Sequence, residues 1–353
     1  IYLVVSSSLS KRAMQAYAHL AGIVKEVDTL QQLIAWIEGQ QFSSPLLVQL
    51  QQSVKVDGKD ANGQIKNLKS ILGRFDLRLN VLVFIFLNSF LLWDVRQMMA
   101  LNARRAKNKS KVLLWFRLIA EVEVLSSLAA LKFNQPQWTF PTFTNQHFTF
   151  NATELGHPLI PTEHRVTSSF DVEGIAKVAL VTGSNMAGKS TFLRSLGVSV
   201  VMAQMGAPVC AQRLELSPVQ LMSSMRIADN LAENTSTFYA ELKKLKTIIE
   251  AVRSHAPLFV LLDEILRGTN SLDRHIGSKA LIKQLIKEKA VAVIATHDVE
   301  MAKLEEEYPQ SVENYHFDVQ VEGEELYFDY KLKHGVCTSL NASILMKKIG
   351  IEL

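Results

Sequence analysis

Two hydrophobic periods divide this chain. Up to about residue 137 the apolar positions recur at helical spacing. Val27, Leu30, Leu33, Ile34 and Ile37 share one helical face, and Gly39 supplies a stop. Ser43-Ser44-Pro45 reads as the cap and first turn of a helix through Leu46, Leu47, Leu50 and Val54. The polar stretch from Val56 to Gly63 predicts a turn region. Two long helices follow, over Leu77–Ala106 and Val112–Lys132, joined by a short basic turn, Lys107-Asn108-Lys109-Ser110-Lys111. Pro136 and Pro141 then break the pattern, which places a boundary between an all-helical domain, 1–137, and a second domain, 138–353.

In the second domain short apolar runs alternate with helical segments. Phe143, Phe148 and Phe150 lie among Thr and Asn, a strand-like composition. Val178–Val181, Leu258–Leu262 and Val291–Ala295 are continuous apolar runs, the signature of strands buried on both faces. Pro208–Ala211 is a further short strand candidate. Helices are predicted over Phe192–Met205 before a stop at Gly206, over a face made by Phe238, Leu242, Leu245, Ile248, Ile249 and Val252, and over one with Ile276, Ala280, Leu281 and Leu285 inward. The polar loop Asp229–Thr237 precedes the second of these. Ser236 or Thr237 suits its N-cap, and Glu241 lies near capping-box distance. Asn314–Val321 and Glu325–Leu332 predict a hairpin turning at Glu322-Gly323-Glu324, and a last helix lies around Ser343–Lys348. The class expected is α/β, with a largely parallel, doubly wound sheet.

The chemistry gathers at the ends of the apolar runs. Gly183-Ser184-Asn185-Met186-Ala187-Gly188-Lys189-Ser190, followed by Thr191, reads G-x-x-x-x-G-K-S between a strand and a helix. Such a loop cradles phosphates: glycines let the backbone approach, and N–H groups and the helix terminus face the anion. Lys189 would reach the outer phosphates of ATP, and the Ser190 hydroxyl would ligate Mg²⁺. The second apolar run ends in Asp263-Glu264. There Asp263 would hold Mg²⁺, and Glu264 would orient and deprotonate an attacking water. The third ends in Thr296-His297, and His297 would polarise the terminal phosphate.

A length of 353 residues suits two domains, and 48% hydrophobic residues suffice for a sizeable core. The net charge of +4 permits an acidic partner without arguing for one. The cysteines, Cys210 and Cys337, match no metal spacing and fit a reducing, cytoplasmic setting. Arg104, Arg105, Lys107 and Lys109 would contact phosphates of nucleic acid or lipid, or form a solvated helix end. The apolar stretch Val81–Trp93 is interrupted by Asn88-Ser89 and is shorter than the ~20 residues a spanning helix needs. It reads as a buried helix, which leaves a membrane segment only upstream of Ile1; a start at Ile rather than Met reads as a fragment of something longer.

Together, Thr182–Thr191, Ser236-Thr237-Phe238, Leu261–Thr269 and Ala295-Thr296-His297 resemble the MutS family of mismatch-repair ATPases. Glu154-Leu155-Gly156-His157-Pro158 and the closing hairpin add to the likeness, which runs from about Glu154 to the end; the helical half resembles the family's core and lever helices in pattern only. The resemblance implies a P-loop ATPase of the ABC type. Two copies would sandwich ATP and Mg²⁺, with Ser236 and Thr237 contacting the nucleotide in trans and Asp273 at the interface. ATP state would move helical levers, on DNA. Membrane-tethered or other non-DNA action, and an ATP-gated dimerising module with negligible turnover, are the alternatives. The chain departs from the family pattern in Glu233-Asn234-Thr235 before the Ser-Thr-Phe, in Leu266 for a usual glycine, in Ser184 for a usual proline, and in the short basic turn where a clamp domain would be inserted.

Overall fold

The computed structural model describes residues 26–53, 60–75, 86–87, 90–146, 148–184, 186–225, 237–254, 256–322 and 325–336. The chain divides into two compact units, Ile1–Ser127 and Leu128–Leu353.

Among the described residues the first unit's regular elements are all helices: α1 over 26–39, α2 over Pro45–Ser53, α3 over Ala61–Phe75, and α4, Trp93–Asn134, which runs on past the division. Its core takes Val27, Leu30, Ile34 and Ile37 from the face expected of α1, packed with Ile65 of α3 and Trp115 and Leu118 of α4, whereas Leu33, expected on that face, is exposed. Two further expectations are corrected. Ala61, Asn62 and Gly63 belong to α3 rather than to a turn. The Glu38 carboxylate, 23 residues upstream, accepts from Ala61 N (2.8 Å) and Asn62 N (3.3 Å). This cap comes from another helix, so local composition does not reveal it.

The second correction concerns the basic segment. Arg104, Arg105, Lys107 and Lys109 lie within α4, which continues for 42 residues, about 63 Å at 1.5 Å per residue, with no turn at 107–111. No Gly or Pro interrupts Trp93–Asn134, and Lys, Arg, Ala and Leu are strong helix formers. The break lies earlier, at Leu92, where φ is +46°. Phe86 and Phe90 are exposed, against the expected burial of that stretch. No helix among the described residues is long and apolar enough to cross a membrane.

The second unit is α/β with two mixed sheets. A six-stranded sheet has the order β10-β9-β4-β8-β7-β6, from β4 (Lys177–Thr182), β6 (Gln220–Ser224), β7 (Leu258–Asp263), β8 (Val291–Ala295), β9 (Val312–Glu322) and β10 (Glu325–His334). All its pairings are parallel except the β9–β10 hairpin. The three apolar runs are β4, β7 and β8, adjacent at its centre. Their residues alternate between two cores. Ala179, Val181, Phe259, Leu261, Val293 and Ala295 face one that contains Phe192, Leu193, Leu196 and Val200 of α5, Lys189–Gln204. Val178, Leu180, Val260, Leu262, Ala292 and Ile294 face the other, built with α6, Thr237–Arg253, and α7, Ser271–Lys287. Period-two alternation with burial on both sides explains why these runs carry no polar face.

The second sheet, β1-β5-β2-β3, joins Thr142–Phe143, Arg213–Leu216, Thr149–Leu155 and Ser168–Glu173, and contributes Phe150, Phe170 and Leu214 to the first core. The strand expected at Pro208–Ala211 is not one: only Val209 pairs, as an isolated bridge to Thr139. The extended segments are β5 and β6 just after it, where Leu214 and Leu216 alternate with Arg213 and Glu215. On α7 the inward face is Ser278, Leu281, Ile282 and Leu285, while Ile276 and Ala280 are not among its buried residues. The final helix around Ser343–Lys348 lies outside the described residues.

Candidate functional site

Parallel pairing brings the candidate residues to one edge. Each central strand extends its ladder by one bond: Glu264 N donates to Ala295 O (2.9 Å), and Thr296 N to Val181 O (3.0 Å). Asp263-Glu264, Thr296-His297 and the start of the glycine loop therefore leave the sheet side by side. This is the carboxyl edge, where open α/β sheets receive ligands.

The loop conformation requires its glycines. Gly183 has φ +137°, and a Cβ there would stand 2.8 Å from Phe317 O. Gly188 has φ +106° and is the left-handed N-cap of α5, with no side-chain cap. The N-terminus of a 16-residue helix is thus left for another acceptor. The Lys189 side chain is 2% exposed. Its Nζ donates to Gly183 O (2.6 Å) and Ser184 O (2.8 Å) and lies 3.9 Å from Glu264 Oε1. His297 Nδ1 is also 3.9 Å from Glu264 Oε1, and Arg267 Nη2 is 2.5 Å from Glu264 Oε2. The Glu264 carboxylate is nearly buried among these three cationic or protonatable groups.

Two buried polar atoms at this edge, Asp263 Oδ1 and Ser184 Oγ, have no hydrogen-bond partner among the described residues. An unpaired buried carboxylate oxygen is costly unless a cation or donor completes it. With an uncapped helix terminus and a glycine cradle beside it, the donor set fits a divalent cation and a phosphate chain. Ser190 lies in the first turn of α5; its hydroxyl and Asp263 are the oxygen ligands on offer.

Beside the loop lies a cavity of about 380 Å³ lined in part by His157, His164, Gly188, Thr191, Phe317 and Tyr330. His157 Nδ1 accepts from Leu159 N (3.3 Å), which leaves the neutral ring's proton on Nε2. Burial, and then the Arg194 and Arg165 guanidinium groups, hold its pKa below the usual histidine value. The Arg165 guanidinium braces this loop by donating twice to Ile160 O (3.0 and 2.6 Å).

The structure thus brings Lys189, Asp263, Glu264 and His297 together with the glycine loop; Met186 is exposed and Ala187 buried within it. Asn185 and Ser236 lie outside the described residues, and Thr237 is the first residue of α6. Asp273 lies in the first turn of α7, where its N–H donates to Asn270 Oδ1 (2.9 Å) and its Oδ2 accepts from Asn270 Nδ2 (2.7 Å). Two residues that the sequence does not single out for the site belong to its neighbourhood. Arg267 pairs with Glu264, and Glu241 accepts from Leu266 N (2.5 Å). No periodicity marks either one. Only the proximity of Arg267 to the acidic pair in sequence hints at its place.

A family profile described as MutS domain V matches residues 179–348, the span from β4 past the hairpin. The chain belongs to the MutS family. It is 34% identical over 251 residues, 69% of its length, to the DNA mismatch repair protein MutS of Thermotoga sp. (strain RQ2). It is 33% identical over 239 residues to that of Thermotoga maritima, and 34% over 224 residues to that of Chlorobium phaeovibrioides. These matches cover 66% and 62% of the chain. The chain spans 30%, 29% and 25% of those MutS relatives' own lengths.

Proposed function

We propose that this chain binds ATP with Mg²⁺ at the carboxyl edge of the six-stranded sheet and hydrolyses it. The observation that carries the reading is the meeting of Lys189, Asp263, Glu264 and His297 around one glycine loop, with Asp263 Oδ1 unpaired among the described residues. The loop amides and Lys189 bind and orient the phosphates. Ser190 and Asp263 hold the cation, which when bound neutralises charge on the phosphate oxygens. Glu264 accepts the proton of the attacking water, and His297 donates a hydrogen bond to the terminal phosphate. The cavity lined by His157 and Tyr330 adjoins the loop and suits the nucleoside. The unit as a whole is read as a P-loop ATPase of the ABC type.

The site is further proposed to be shared by two copies, with Ser236 and Thr237 of each completing the other's and Asp273 at the interface. The helical unit then acts as a lever, and DNA is the partner that the MutS relatives' name brings with it. Arg104, Arg105, Lys107 and Lys109 are candidates for phosphate contacts along α4. Their combined replacement by Gln is expected to lower duplex affinity and to flatten its salt dependence, by about 0.9 in log–log slope for each phosphate that is no longer neutralised. Unchanged affinity across salt would remove DNA from the reading of this segment.

One observation favours a second reading, an ATP-gated module with negligible turnover. Glu264 Oε2 is engaged by Arg267, and Lys189 Nζ rests on carbonyls of its own loop, so both must be released before they can act. Phosphate release by the wild-type chain under saturating Mg–ATP decides between the two.

A further inference from the structure

We infer that Glu241 is a positioning residue for Glu264, holding the turn that carries this base against the helix that starts at Thr237. The inference rests on the ATPase reading above. After β7 the chain turns through Glu264 and Leu266, whose φ values are +48° and +59°. Neither residue favours the left-handed region, so the surroundings must impose this conformation.

Two contacts with α6, and burial in a core that it shares, do so. The Glu241 carboxylate accepts from Leu266 N at 2.5 Å, a charge-assisted bond to the residue with the larger φ. Leu266 is 9% exposed and packs in the core that contains Leu245 of α6. A Cβ at Gly268 would stand 2.4 Å from Phe238 Cβ, so helix and turn are in direct contact there too. On the other side of the turn, Glu264 N is fixed by Ala295 O. The turn is therefore pinned at one end to the sheet and at the other to the first turns of α6. A shift of α6 would reach the Glu264 carboxylate through Glu241 and Leu266. Thr237, one of the residues proposed to contact nucleotide in trans, opens that same helix. The bond thus gives a route from contact with a second copy to placement of the base.

The test compares wild type with Glu241→Met, which keeps side-chain bulk and helix propensity but loses the acceptor, and with Glu241→Gln, which keeps an acceptor oxygen. The first readout is hydrogen exchange at residues 263–268 without nucleotide. The Leu266 amide should exchange faster in Glu241→Met and near the wild-type rate in Glu241→Gln. The second is ATP turnover, where Glu241→Met should lose about 10- to 100-fold in kcat with KM within about threefold, and Glu241→Gln should retain most of it. Unchanged exchange in folded Glu241→Met, or unchanged kcat against an active wild type, overturns the inference. Should Glu241→Met not fold, a tenfold kcat loss in Glu241→Gln does the same, and near-wild-type kcat with a protected amide supports it. A wild type that hydrolyses no ATP defeats the ATPase reading and, with it, the assignment of Glu264 as the base; the exchange result then reports only on the turn.

Discussion

Glu264→Gln is expected to bind Mg–ATP about as tightly as the wild type and to turn it over about 10²- to 10⁴-fold more slowly, the range a positioned general base contributes. The amide keeps the shape of the side chain and one acceptor oxygen. It cannot take the proton of water, and it ends the charge attraction to Arg267 and to Lys189 Nζ at 3.9 Å. Binding should survive because the loop amides, Lys189 and Asp263 are untouched. Equilibrium nucleotide binding together with steady-state phosphate release separates the two effects. A variant that turns over at the wild-type rate would remove Glu264 as the base and direct the search to another group at the same edge.

Lys189→Ala is expected to lose nucleotide affinity and turnover together. The ammonium is almost fully buried and makes two short bonds to loop carbonyls, which phosphate oxygens would replace on binding. A bond from an ionised donor is worth about 1.5–3 kcal/mol net, so losing one to two of them weakens ATP binding by at least about tenfold. The same change strips Gly183 O and Ser184 O of a donor, so melting should be followed alongside titration with a fluorescent ATP analogue. Intact folding with undiminished affinity would contradict the loop assignment.

The parts of this architecture legible from sequence are those where local pattern and tertiary role coincide. Val178–Val181, Leu258–Leu262 and Val291–Ala295 are apolar without alternation because both faces of the sheet are covered, and each is a central strand. The hairpin and the helix after the glycine loop follow from equally local signals. Two of the departures from expectation come from partners distant in the chain. Ala61-Asn62-Gly63 is helical because Glu38 caps it, and β5 and β6 form because strands far along the chain pair with them. The basic segment departs from expectation for a different reason: its charges suggest a turn, but without Gly or Pro they continue a helix.

At the site, the side chains proposed to act on phosphate are readable because motif spacing sets Asp263, Glu264 and His297 at or just past strand ends and Lys189 at the start of α5. Arg267 and Glu241 are not, since their partners, Glu264 and Leu266, are set by packing of α6 against a turn with positive φ. Leu266 illustrates the point: in sequence it is an apolar residue after an acidic pair, while in the fold it is a strained backbone position held by a carboxylate.

Nucleotide binding at this edge is tested most directly by a crystal structure of this chain with Mg²⁺ and a non-hydrolysable ATP analogue. The triphosphate is expected in the 183–190 loop, with Lys189 Nζ moved from the Gly183 and Ser184 carbonyls onto phosphate oxygen and the cation on Ser190 and Asp263. A loop empty at saturating analogue, with Lys189 still bonded to those two carbonyls, would contradict this expectation.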